Sequence, residues 1–132
     1  NFAKIPNGMG GVEHRMELIY QGVVQGEISL ERWVETCSTS PARMFGMYPK
    51  KGIVAPGSDA DILIWDPNSK TKIGINDKHH MNMDHSSWEG FVVDGKVDTV
   101  LSRGSIVVEN DKFTGKKGHG KFIKRGLCQY LN

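Results

Sequence analysis

Two groups of side chains in this chain have the types and spacing that could do chemistry. The first is the stretch "HHMNMDHSS", residues 79–87, which supplies imidazole and carboxylate groups from His79, His80, Asp84 and His85. These groups suit zinc, and a single loop could present them together. A further ligand would have to come from His14 or His119, the other two histidines of the chain. The alternative is a structural loop held by hydrogen bonds.

The second group is a pair of carboxylates in "SDAD", Asp59 and Asp61. General acid and base catalysis needs two such groups in a cleft, on either side of the bond that breaks. Here they stand at the entrance of a predicted buried strand. We therefore expect them to accept hydrogen bonds from backbone N–H groups, as aspartates in turns commonly do.

The opening stretch "NFAKIPNGMGGVEHR", residues 1–15, has no initiating Met and crowds glycines around a Pro6-Asn7-Gly8 turn. Glycines at this density indicate that the backbone approaches another group closely. Such a turn can expose an amide and a carbonyl, the donor and acceptor that the edge of an imide requires. Taken alone, however, the pattern predicts only a turn.

Three short helices are predicted to follow. Apolar residues recur every three or four positions over residues 12–25, and Gly26 ends this helix. Ser29 is the predicted N-cap of a helix over residues 30–37. Ser40 as a cap and Pro41 at the first helical position predict a third helix that stops at Gly46.

Strands are predicted after residue 52. "DILIWD", residues 61–66, is an apolar run between two turn signals, "PGSD" and "PNSK", and predicts a buried strand. Further strands are predicted in "TKIGI", in residues 88–109 and in "KFTG". Asp94-Gly95 and Arg103-Gly104 mark tight turns. The last segment, residues 116–132, is basic and punctuated by glycines.

Composition excludes several classes of protein. The 132 residues carry 17 basic and 15 acidic side chains, a formal charge of +2, which is too balanced to indicate nucleic acid or membrane partners. A complete (β/α)₈ barrel needs about 250 residues, so none fits. Cys37 and Cys128 lack the spacing of a disulfide framework or metal site. Without a membrane span or a signal peptide pattern, a cytoplasmic location is expected.

Several motifs resemble one family when taken together. "KKGIVAPGSDADILIWDP" resembles the element with which amidohydrolase-superfamily enzymes re-enter a small β-sandwich after completing a catalytic barrel. Five further blocks occur in the right order: "KIPNG", "GVEHR", "STSPARMFGMYPKKG", "HHMNMDHSSWEG" and "GHGKFIKRG". Over essentially its whole length, the chain resembles the C-terminal stretch of the dihydropyrimidinase and D-hydantoinase family.

This resemblance implies an α/β parent fold, a (β/α)₈ barrel plus a small β-sandwich. Residues 1–51 would be the end of the barrel, with the substrate loop and closing helices. Residues 52–115 would form the C-terminal part of the sandwich. Residues 116–132 would be a tail that contributes to a homotetramer.

For the site, the resemblance implies that Asn7 binds the cyclic imide of the substrate through its backbone groups. The two zinc ions of the family, and all their ligands, lie upstream of this turn, so it implies no catalytic and no metal-binding residue in this chain. The equivalents of the histidine-rich block are not ligands in the family. By itself, therefore, the chain is expected to be inactive.

The implied reaction of the parent protein opens the ring amide of a dihydropyrimidine or hydantoin to give an N-carbamoyl amino acid. The alternative is a non-catalytic scaffold protein of the same fold, which acts through oligomerisation and partner binding. The doubled histidine, His79-His80, favours the enzyme, since the scaffold proteins resemble the chain less at this point. A third possibility is an inactive proteolytic remnant. The residues do not separate dihydropyrimidines, hydantoins and allantoin as substrates.

Overall fold

A computed structural model describes the chain except for seven residues, namely Pro6, Asn7, Met9, Lys78, His79, Leu131 and Asn132. A 3-10 turn at Phe2–Lys4 opens the chain, and helix α1 covers Arg15–Val24. Helix α1 begins later than the periodicity predicts, and Val12 is 76% exposed and lies outside it. The helix ends where Gly26 adopts a positive φ of 74°, as predicted.

The next two predicted helices form one continuous helical run. Helix α2 spans Leu30–Val34, and the Ser29 hydroxyl accepts a hydrogen bond from the Arg32 N–H at 3.2 Å, which confirms the predicted cap. A π-helical segment, Glu35–Thr39, leads directly into helix α3, Ser40–Met44. Ser40 has helical backbone angles, so its predicted role as a cap is wrong. The π-helical turn at Glu35–Thr39 connects the two helices at the place where the sequence predicted a break between them.

Four antiparallel strands follow, in the order β1-β2-β3-β4. They are Ile62–Lys72, Val92–Ser102, Ser105–Glu109 and Lys112–Phe113. The predicted tight turn at Arg103-Gly104 joins β2 to β3, and both residues have a positive φ. Because each strand pairs with its neighbour in the chain, the sheet is a meander of local connections.

Two predicted turns lie instead inside strands. "PNSK" continues β1, at a register shift between Asp66 and Lys70 where the carboxylate of Asp66 holds the irregular segment through Asn68 and Ser69. Asp94-Gly95 lies within β2, not at a hairpin end. Gly95 has a φ of 84°, and a side chain there would overlap the ring of Trp65. The glycine therefore serves close packing rather than a reversal of the chain.

The core lies between α1, α2 and one face of the sheet. Tyr20, Trp33 and Trp65 form a triangle with ring centroids 4.9–5.1 Å apart. The side-chain amide of Gln21 both donates to the Asp94 carbonyl at 2.9 Å and accepts from the Asp94 N–H at 3.1 Å. Aromatic packing thereby holds α1 against α2 and β1, and a paired hydrogen bond fixes it on β2.

The described residues thus form a helical half followed by an antiparallel sheet, an α and β arrangement. No helix within the described ranges is long and apolar enough to cross a membrane.

Candidate functional site

Residues 10–13, here called the glycine segment, lie against the loop between β1 and β2. We call residues 80–90 the histidine loop. A methyl group added to Gly10 would overlap the thioether of Met83, and one added to Gly11 would lie 2.6 Å from the indole ring of Trp88. The close approach indicated by the sequence is therefore confirmed at Gly10 and Gly11, and the groups that they approach belong to the same chain.

Glu13, at the end of the glycine segment, binds the start of the histidine loop. Its carboxylate accepts the backbone N–H of His80 at 2.8 and 3.0 Å and that of Met81 at 3.1 Å. It also contacts Nδ1 of the His80 ring at 2.6 Å. Burial raises the pKa of Glu13, but the hydrogen bonds from His80 and Met81 outweigh it, so the pKa lies below its usual value. The carboxylate stays ionised at neutral pH.

The His80 ring extends this network to the sheet. Its Nε2 lies 3.2 Å from the Asp111 carbonyl oxygen, in the turn between β3 and β4. The Asp111 carboxylate in turn pairs with the Lys96 ammonium of β2 at 2.9 Å. Three separate segments of the chain therefore meet at one imidazole ring.

A cavity of about 160 Å³ lies behind this network, between α1 and the sheet. Glu17 lines it and is only 5% exposed. Its Oε2 atom has no hydrogen-bond partner among the described residues. Burial raises the pKa of Glu17, and the negative charge of Glu13, four residues earlier in the chain, raises it further. The pKa values of two carboxyl groups four residues apart are thus changed in opposite directions by their surroundings.

The predicted substrate residue, Asn7, lies outside the described residues, as does His79 of the histidine-rich block. In that block, His80 binds Glu13, and Nδ1 of His85 lies 2.7 Å from the Asp84 carboxylate. Over the ranges that the structure describes, no three His, Cys, Asp or Glu side chains lie close enough to hold a metal ion. The described residues do not fit a metal centre. His80 and His85 contact carboxylates, and His119 contacts the backbone and hydroxyl of Ser102.

Asp59 and Asp61 are charge-paired. Asp61 accepts the Arg103 N–H at 2.8 Å, as expected for a turn aspartate, and also binds the Lys51 ammonium. Asp59 pairs with Lys50 and Lys51 at 2.6 and 2.9 Å. These contacts with lysine ammonium groups lower the pKa of Asp59. A carboxylate held ionised in this way is a poor proton donor, which favours the structural role.

The basic tail, described over residues 116–130, contacts other parts of the same chain. Gly126 donates to the Gly46 carbonyl at 2.7 Å, and Gln129 donates to the Arg43 carbonyl at 3.1 Å. Phe122 and Leu127 nevertheless stay 95% and 86% exposed. The tail is anchored on the helical half while presenting two large apolar side chains to solvent.

Sequence reasoning missed Glu13. It lies in the block "GVEHR", which contributed to the family resemblance without a role for any of its residues. The available signal was an acidic residue two positions after a pair of glycines and just before a helix. Its partners are 67 and 68 residues away, so local patterns could not identify them.

Comparison with known proteins places these features in a family. Residues 6–107 match the Amidohydrolase family. The chain is 53% identical over 131 residues, 99% of its length, to the D-hydantoinase of Streptomyces coelicolor, of which it covers 28%. It superimposes on the structure of D-hydantoinase from Bacillus sp. AR9 with a TM-score of 0.91 and 48% identity, over 97% of this chain and 28% of that one.

A third similar protein is the dihydropyrimidinase from Brevibacillus agri NCHU1002, whose structure matches with a TM-score of 0.89 and 47% identity. The match covers 95% of this chain and 27% of that chain. The chain therefore spans somewhat more than a quarter of the length of these relatives. Its family match covers most of its own length, and the chain belongs to the amidohydrolase family.

Proposed function

We propose that this chain is the C-terminal part of a cyclic amidase that hydrolyses the ring amide of dihydropyrimidines or hydantoins to N-carbamoyl amino acids. The observation that carries the proposal is the 53% identity to a D-hydantoinase over 99% of the chain. Superposition on a D-hydantoinase and a dihydropyrimidinase supports it, since it extends the likeness from sequence to backbone.

Within that protein, residues 1–51 would contribute the substrate turn and the closing helices of a (β/α)₈ barrel. Residues 52–115 would form the C-terminal part of a β-sandwich domain. Asn7 would bind the imide edge of the substrate through its backbone N–H and carbonyl. The turn chemistry of Pro6-Asn7-Gly8 supports this assignment, because it can leave both groups without an intramolecular partner.

The reaction of the whole protein is proposed to depend on two zinc ions, which would supply Lewis-acid chemistry. The described residues do not fit such a centre, so its ligands are assigned to the part of the protein that precedes Asn7. This chain's own contribution is to bind and orient the ring. Alone, the chain should not hydrolyse the amide.

A chimera tests the proposal directly. The corresponding C-terminal segment of the Streptomyces coelicolor D-hydantoinase is replaced by this chain, and hydrolysis of hydantoin and dihydrouracil is measured together with zinc content. We expect a zinc-loaded chimera that opens at least one of the two rings. The isolated chain is the control and should show neither activity nor stoichiometric zinc.

A folded, zinc-loaded chimera that hydrolyses neither substrate would contradict the proposal. That result would favour the non-catalytic scaffold, because the segment would then support the fold without supporting the chemistry.

The tail is proposed to take part in a homotetramer. Phe122 and Leu127 are available for such a contact, because both stay largely exposed on a tail that is anchored to the helical half. In the chimera, Phe122→Ser with Leu127→Ser should lower the mass measured by light scattering. Lys121→Ser with Lys124→Ser, which removes neighbouring charges instead, should leave that mass unchanged. An unaltered tetramer after the apolar substitutions would remove the tail from the interface.

A further inference from the structure

The glycine segment and the histidine loop meet through two independent kinds of contact. One is polar, from the Glu13 carboxylate to the N–H groups of His80 and Met81. The other is steric, from Gly10 to Met83 and from Gly11 to Trp88. These contacts fix both the distance and the direction between the two segments. The Glu13 carboxylate holds one end of the glycine segment, and the Met83 and Trp88 side chains pack against Gly10 and Gly11.

The polar contact is specific for a carboxylate. Two backbone N–H groups and a ring nitrogen face the same pair of oxygen atoms, and an ionised acceptor strengthens each bond. A glutamine at position 13 would keep one oxygen but would turn an amide donor toward these donors. The side chain is 16% exposed, so water replaces the lost bonds only in part.

The steric contacts require glycine for space rather than for backbone freedom. Neither Gly10 nor Gly11 has a positive φ, so an alanine at either position fits the backbone. Met83 can rotate away from a methyl group on Gly10, because its thioether is flexible. The Trp88 ring is rigid and half-buried, so a methyl group on Gly11 must displace the glycine segment or the whole loop.

We propose that the histidine loop sets the position of the glycine segment, and that Glu13 and Trp88 are positioning residues for the ring substrate. The inference rests on the proposed function, in which the Pro6-Asn7-Gly8 turn binds the imide edge of the substrate. It assigns the histidine-rich block a role that involves no metal. The loop acts as the support against which Gly10 and Gly11 are held.

Glu13→Gln in the active chimera tests the polar contact. We expect KM for hydantoin to rise roughly tenfold, the effect of losing about 1.4 kcal/mol of binding energy, while zinc content stays the same and kcat changes less than KM. The matched control is Glu89→Gln, because Glu89 also accepts a backbone N–H, that of Ile75 at 3.1 Å, which lies outside the glycine segment. An equal rise in KM for both variants would overturn the proposal.

Gly11→Ala tests the steric contact, and a compensating change keeps the test informative. Alone, it should raise KM by a similar factor. Combined with Trp88→Leu, which removes the ring that the methyl group meets, KM should return to within about twofold of that of the Trp88→Leu variant. Failure of the second substitution to relieve the first would show that the loop does not set the position of the glycine segment.

Hydrogen exchange separates this inference from the proposed function. The His80 and Met81 amides should exchange faster in Glu13→Gln than in the unaltered chimera, whether or not the chimera is active. Unchanged exchange would overturn the positioning role. An inactive parent chimera, by contrast, would overturn the proposed function and leave the exchange result standing as a structural fact.

Discussion

The aromatic core and the junction of the glycine segment with the histidine loop are held together in different ways. In the core, Tyr20 packs edge to face against Trp33 and Trp65, and Trp33 is 4% exposed. At the junction, a single carboxylate and two glycines replace this apolar packing. Loss of a core side chain removes buried area, whereas a change at the junction alters mainly direction and spacing.

This difference separates stability from positioning within one chain. The hydrophobic effect that stabilises the core has no preferred direction and follows the apolar area that is buried. Hydrogen bonds to a fixed carboxylate and contact with a rigid indole ring are directional, and suit a segment whose placement matters more than its strength. Substitutions in the two regions should therefore change different measured quantities.

Two tryptophans give the largest expected effect. Trp33→Leu should lower the free energy of unfolding by about 3 kcal/mol, because the ring is buried in the core and donates to the Met16 carbonyl. Trp88→Leu, a matched change at the junction, should lower it by about 1 kcal/mol. Urea unfolding monitored by circular dichroism measures both. Equal losses would show that the junction contributes to stability as the core does.

Two glycines with positive φ give the next effect. Gly95→Ala combines strain at a φ of 84° with overlap of the Trp65 ring, and should cost about 3 kcal/mol. Gly104→Ala has a similar φ of 78° but no heavy atom within 4 Å, and should cost about 1 kcal/mol. Thermal unfolding of both variants checks the difference, which isolates close packing from backbone strain. A Gly104→Ala variant that is the less stable of the two would contradict it.

Local patterns were enough to predict much of the fold. The cap at Ser29, the turn at Arg103-Gly104 and the strand predicted over residues 61–66 each depend on neighbouring residues, and the structure confirms all three elements. The predicted burial of that strand is wrong for the described residues, since Ile64 is 47% exposed. The turn predicted at Asp94-Gly95 is wrong for a physical reason. A glycine that avoids a ring and a glycine that reverses the chain look alike in sequence, and only the distant Trp65 separates them.

The junction could be predicted only in part. The density of glycines correctly indicated a close approach, but nothing nearby named Met83 or Trp88 as the partner. The histidine-rich block suggested metal chemistry because its residue types fit, whereas the structure places Glu13 beside His80. Contacts between segments some 70 residues apart depend on the folded sheet, so they become visible only with the structure.

The smallest expected effect is a difference in pH dependence between Glu13 and Glu17. The native pKa of Glu13 is lowered, so its contribution to stability is present at neutral pH and is lost as the pH falls through the native pKa. The native pKa of Glu17 is raised by burial, so its contribution is fully present below the unfolded value of about 4.3 and is lost as the pH rises through the native pKa.

Replacing each carboxyl by an amide should therefore have opposite consequences at pH 7. Glu13→Gln should lower the free energy of unfolding at pH 7 and approach the unaltered chain near pH 3. Glu17→Gln should remove the loss of stability above about pH 4.3, because its neutral amide suits a buried site at every pH. Urea unfolding between pH 3 and 8 measures both slopes. Slopes of the same sign would show that the two carboxyls share one environment. The junction and the core would then not be separated between Glu13 and Glu17.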